Sequence, residues 1–161
     1  MTNNAKAPHH DPDKKRETNE GNGELICKYC NAVYQNKHWQ PLDKMDVRFV
    51  DAMKKGVCPA CHMSKNHLSD GVLHLSGAGF MEKKEEIKNL IENIGKKEEE
   101  RDIENRVERI EEKSDSMVIY TSKNQLAVEI GKKVADSHKG GKLDIKWSKE
   151  DKPVEVTWQK D

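Results

Sequence analysis

The chain has 161 residues, 34% hydrophobic and 36% charged, too little apolar material for one large core; small modules, one of them stapled, suit it better. Its 29 basic and 29 acidic side chains cancel, so no global field draws it to a polyanion, and a nucleic-acid footprint must come from local clusters. No run approaches the ~20 apolar residues of a membrane helix.

Residues 1–22 read as a disordered tail, with two prolines, His9-His10 and charges without periodicity. No apolar stretch of a secretory signal lies there, so a reducing, cytoplasmic setting is expected. Glu24-Leu25-Ile26 predicts a short strand. Ala32-Val33-Tyr34 and Lys37-His38-Trp39 predict a hairpin with Gln35-Asn36 at its turn. Leu42, Met45, Phe49 and Met53, spaced by three and four, predict an amphipathic helix from Leu42 to Lys55, closed by Gly56. Gly71 to Leu75 predicts a strand and Ser76 to Phe80 a bend.

From Met81 to about Asn93 the period is helical, with Ile87, Leu90, Ile91 and Ile94 in one stripe suited to docking on a neighbouring module. Gly95 is expected to weaken or end this helix, and Lys96 to Asp102 to be a solvated linker. Val107–Lys113 and Met117–Tyr120 then predict two strands around the turn Ser114-Asp115-Ser116. Ser122 and Gln125 form a capping box for a helix over residues 123–137, which Gly140-Gly141 ends. Leu143, Ile145 and Trp147 alternate on a third strand and Val154, Val156 and Trp158 on a fourth, joined by a turn over 149–152. Both tryptophans are expected to face the helix.

The predicted class is α+β: an N-terminal zinc-ribbon-like module with an inserted helix, a connecting helix, and a C-terminal β-β-α-β-β module with a four-stranded, largely antiparallel sheet. The divisions fall at 1–22 (tail), 23–80 (metal module), 81–105 (helix and linker) and 106–161 (α/β module).

The four cysteines are Cys27, Cys30, Cys58 and Cys61, in two Cys-x-x-Cys pairs. Two such turns face four thiolates towards one tetrahedral ion, and one structural zinc is the expected occupant. Disulfides would need an oxidising compartment. Thioredoxin-like chemistry uses one pair in a strand-helix setting. Iron, as in rubredoxin-type electron carriers, is a third alternative, but those modules follow each pair with glycine, where this chain has Asn31 and His62. Four sulfurs fill every position that catalytic zinc keeps open. No nucleophile elbow, His-Glu-x-x-His or phosphate loop is present, so a non-enzymatic protein is expected.

Two further clusters are candidates for RNA binding. Tyr34, Lys37, His38 and Trp39 combine rings with positive charge on the hairpin, although the rings could instead pack on the knuckle. Lys132, Lys133, Lys139 and Lys142, with His138, surround a glycine loop that could approach phosphates, but they also suit a helix C-terminus. His62, His67 and His74 are read as surface or strand histidines.

Cys27-Lys-Tyr-Cys30-Asn-Ala-Val-Tyr34, Lys37-His38-Trp39 and Cys58-Pro-Ala-Cys61 resemble a group of small bacterial zinc-ribbon proteins. Those look like short relatives of the large-ribosomal-subunit export adaptor, the nonsense-mediated-decay-three family. Val118-Ile-Tyr-Thr-Ser, Leu126-Ala127, Ile130-Gly131-Lys132, Gly141-Lys-Leu and Val154-Glu-Val-Thr-Trp158 resemble the group's closing α/β module. The resemblance spans about residues 24–160 and implies ribosome or RNA binding through zinc knuckles and β-rich modules. This chain has one C-terminal module and a fraction of the adaptors' length. A protein-interaction adaptor docking through the Ile87–Ile94 stripe is the alternative.

Overall fold

The computed structural model describes residues 24–42, 53–147 and 152–161. The expected tail, most of the helix expected from Leu42 and most of the last turn lie outside these residues. Among the described residues, two sheets and four helices make the fold α+β.

The smaller sheet has the order β3-β2-β1-β4. Strand β1 (Leu25–Cys27) pairs antiparallel with β2 (Val33–Gln35), which forms the expected hairpin with β3 (His38–Gln40). The turn sits one residue later than expected, at Asn36-Lys37, with φ of 53° and 66°. Positive φ at both positions is what a two-residue type I′ turn requires, and it twists the strands the right way. Strand β4 (Lys54–Gly56) runs parallel to β1 and sets Gly56 opposite Cys27. Lys54, Lys55 and Gly56 are therefore extended and do not end a helix; backbone pairing with β1 decides their conformation over local helical spacing. The second cysteine pair does not form a matching knuckle. Cys58 caps helix α1 (Pro59–Lys65), with Pro59 at the first helical position, where its missing N–H is harmless.

The larger sheet has the order β6-β7-β5-β9-β8, five strands where four were expected. The addition is β5 (Gly71–Ser76), which was expected to belong with the metal module and instead lies at the centre. It pairs antiparallel with β7 (Ser116–Thr121) and parallel with β9 (Val154–Gln159). Leu73 and Leu75 are fully buried on one face and Val72 is buried on the other, so this strand is covered on both faces, as a central strand is. Strands β6 (Val107–Glu112) and β8 (Lys142–Lys146) form the edges.

After a bend at Gly77 (φ 104°), α2 (Ala78–Glu82) leads into α3 (Lys84–Arg101). Helix α3 passes through Gly95 and absorbs the expected linker. A Cβ at Gly95 would lie 2.8 Å from Val107 Cγ2, so the glycine lets β6 approach the helix and does not terminate it. Ile87, Ile91 and Ile94 enter the core with α4 (Asn124–Ser137) and the inner face of the sheet. These three isoleucines of the stripe are thus covered within the chain, and Leu90 packs against the same core partly buried. Trp158 is fully buried there, but Trp147 is 55% exposed beyond the end of β8, contrary to expectation. Ser122 does not cap α4: its hydroxyl accepts from the Arg106 N–H at 2.8 Å and donates to the Glu104 carbonyl, tying the start of β6 to the end of β7.

Candidate metal centre

The parallel pairing of β1 with β4 delivers both cysteine pairs to one place. Cys27 ends β1, and two residues past Gly56, its partner in register, comes Cys58. The first pair closes a tight turn in which the Asn31 N–H bonds to the Cys27 carbonyl at 3.0 Å and Asn31 adopts φ 62°. That is the left-handed conformation usually given to glycine, which asparagine tolerates best among the others. The first turn therefore has the backbone shape of a glycine-bearing knuckle, so the missing glycine does not separate zinc from iron there. Cys61 lies one turn into α1, three residues from its cap.

The four sulfurs lie within 4.8 Å of one another. Cys30 and Cys58 Sγ are 3.7 Å apart, against about 3.8 Å along the edge of a tetrahedron with ~2.3 Å metal–sulfur bonds. Backbone N–H groups support them: Cys58 donates to Cys27 Sγ and Cys61 to Cys58 Sγ, each at 3.4 Å. Cys27 and Cys58 are fully buried, Cys61 is nearly so, and none is in a disulfide. This donor set fits one metal ion with all four positions filled by protein.

The protonation of the cluster points the same way. Hydrogen bonds from Cys58 and Cys61, aided by Arg106, hold the Cys30 thiol far below its usual range. The same contacts with Cys30 push Cys58 far up and Cys61 up to about 11. Cys30, Cys58 and Cys61 crowded together thus give up one proton readily and hold the others, which a divalent cation would replace.

Arg106 was not singled out in the sequence. Its guanidinium donates to Cys30 Sγ at 3.4 Å, Cys61 Sγ at 3.5 Å and Cys58 Sγ at 3.7 Å, and its Nε–H points to the Ile103 carbonyl. The side chain is 13% exposed. Burial opposes its charge, but the bond to Cys30 and the neighbouring sulfurs outweigh that and raise its pKa above the ordinary arginine value. Four thiolates and a divalent ion carry a formal charge of −2, and Arg106 reduces it to −1. A lone arginine in a charge-rich stretch gives no sequence signal of this role.

The candidate RNA-binding residues fall in two separate places. Tyr34, Lys37, His38 and Trp39 line one cleft of about 390 Å³, whose other wall is the end of α3 and residues 102–104. Within it Trp39 is 7% exposed and packs against Tyr34 at 5.4 Å between ring centroids. The rings of the hairpin therefore mainly build the small core, and Lys37 and His38 share the cleft with Arg101, Glu104 and Asp102, the last paired with Lys123 at 2.6 Å. Lys132, Lys133, Lys139 and Lys142 are exposed on and after α4. The glycines between them have a packing role: a Cβ at Gly141 would lie 2.4 Å from the Trp158 indole nitrogen. His62, His67 and His74 stay outside the sulfur cluster; His67 contacts Arg109 at 3.1 Å, and burial within the sheet lowers the pKa of His74.

Among the described residues no helix is long and apolar enough to cross a membrane. Comparison with known proteins gives no match: no family model, no curated protein and no solved structure is significantly similar to the chain.

Proposed function

We propose that the chain is a non-enzymatic, zinc-stapled protein that binds RNA, with the ribosome as its natural setting. The carrying observation for the metal is the closed sulfur centre: four cysteine ligands leave no coordination position for substrate or water. Zinc is the preferred ion because it accepts the tetrahedron the loops offer and has no redox chemistry to control. For RNA the support is the resemblance of both halves to ribosome-associated zinc proteins, together with exposed lysines on two separate surfaces. Phosphate-dominated binding at two surfaces joined in one chain gives useful affinity from weak contacts.

Two measurements test this. Elemental analysis of the purified protein should give one zinc per chain, and iron in its place would show as a red colour. Co-sedimentation with ribosomes or total RNA at low salt should fall steeply as salt rises. Absence of binding at the lowest salt, with zinc fully loaded, would sink the RNA reading. A partner protein retained after nuclease treatment would favour the adaptor reading instead.

A further inference from the structure

We infer that single-stranded RNA is gripped at the metal knuckle itself, by Tyr29, Lys28 and Lys65, and not at the hairpin; this rests on the RNA reading above. Tyr29 is 48% exposed and, with Trp147, one of two large hydrophobic side chains exposed among the described residues. The Lys65 ammonium lies 4.6 Å and the Lys28 ammonium 5.2 Å from the centre of its ring. Neither lysine has an ion pair among the described residues, whereas Lys88 and Lys123 are each within 3 Å of a carboxylate oxygen. Two ammonium groups over one exposed ring, neither ion-paired among the described residues, match what a single strand presents: its phosphates draw the lysines and a base takes the ring face they leave.

The metal centre explains why these three side chains meet. Lys28 and Tyr29 are the two residues between the ligand cysteines Cys27 and Cys30, and Lys65 ends the helix that Cys58 and Cys61 begin. With an ion in place, neither half of the surface can move away from the other. The hairpin lacks this arrangement, since its tryptophan is buried and packs against Tyr34.

The test uses the zinc-loaded full chain and fluorescein-labelled single-stranded oligouridine, read by anisotropy across a salt series. Tyr29→Ala should weaken binding by about tenfold, the ordinary effect of removing one stacking ring, while Tyr29→Phe keeps most of it. Lys28→Ala with Lys65→Ala should flatten the plot of log affinity against log salt by about 1.4, two single-strand phosphate contacts. Lys37→Ala with His38→Ala should cost less than either of these; a larger loss there would place the strand on the hairpin and overturn the assignment. Zinc content, measured on every variant, shows that the module is intact. If the parent chain binds no RNA, the RNA reading itself fails. If the parent binds and the Tyr29 and lysine variants match it, this surface is wrong and the RNA reading stands. Equal competition by polyglutamate would show a general anion site and overturn the single-strand assignment.

Discussion

Arg106→Met removes the cation that faces the sulfur cluster and keeps only the apolar stem of the side chain. Three guanidinium contacts to sulfur, at 3.4, 3.5 and 3.7 Å, are lost together. At ~1 kcal/mol for each long charge-assisted bond, the loss is about 3 kcal/mol, the low end of what breaking a buried charge pair costs. Because those contacts act on the metal-bound thiolates, the loss should appear in metal affinity, where about 3 kcal/mol is roughly a hundredfold. The assay is competition for zinc with a chromophoric chelator, alongside denaturant unfolding at fixed free zinc. Arg106→Lys should recover only part of the loss, since one ammonium cannot span three sulfurs as a planar fork does. An Arg106→Met variant whose zinc affinity stays within about twofold of the parent would refute the reasoning, because the arginine would then only be packing.

Four other perturbations check separate parts of the structure. Chelation should remove on the order of 10 kcal/mol of folding energy and raise amide exchange in β1 to β4 and α1, while β5, held between β7 and β9, stays protected. Exchange that spreads equally through β5 would mean the sheet depends on the metal. Lys37→Gly should stabilise the small sheet by about 1 kcal/mol in denaturant melts, since Lys37 sits at φ 66° in a turn that favours Asn-Gly. Gly95→Ala raises helix propensity yet should destabilise by about 1–3 kcal/mol through the 2.8 Å clash with Val107; a net gain would mean β6 can move aside. Glu108 is pushed from 4.5 up to about 8, chiefly by burial, which outweighs the attraction of Arg109, and its Oε1 lacks a hydrogen-bond partner. The folded chain keeps a proton that the unfolded chain has lost, so this group's contribution is full below 4.5 and fades as pH rises towards about 8. Glu108→Gln should therefore gain about 1–2 kcal/mol on the parent between about pH 6 and pH 8, allowing for its partial exposure, and parallel pH profiles would exclude the effect.

Local signals in the sequence were reliable where local chemistry decides the structure. The cysteine spacing located the sulfur cluster, and alternation located β8 and β9, because each pattern reflects a contact with one dominant neighbour. The failures share a different cause. Strand β5 pairs with β9 some eighty residues away, and nothing in Gly71–Ser76 says which sheet will receive it. Gly95 looks like a stop signal, yet tertiary packing against Val107 decides its role. Ser122 has the spacing of a cap, but the Arg106 backbone offers its hydroxyl a better use. Arg106 and Tyr29 went unnoticed because a charged or aromatic side chain acquires a function only when folding places something beside it.

The metal centre and the proposed RNA surface are therefore not independent features that happen to share a module. Lys28 and Tyr29 are exposed because the cysteines on either side of them turn inward to the sulfur cluster. The helix begun by Cys58 carries Lys65 to the same ring. Arg106 reaches the same sulfurs from just before β6, its backbone held by Ser122 after the end of β7. An ion bound at the cluster would thus order the side chains facing outward and fix the module to the five-stranded sheet. The consequence is directional: stripping the metal should abolish the Tyr29-dependent share of RNA binding, while the lysines at 132, 133, 139 and 142, carried by the larger module, keep whatever salt-sensitive binding they supply. A metal-free chain that retains Tyr29-dependent binding would break the link between staple and surface.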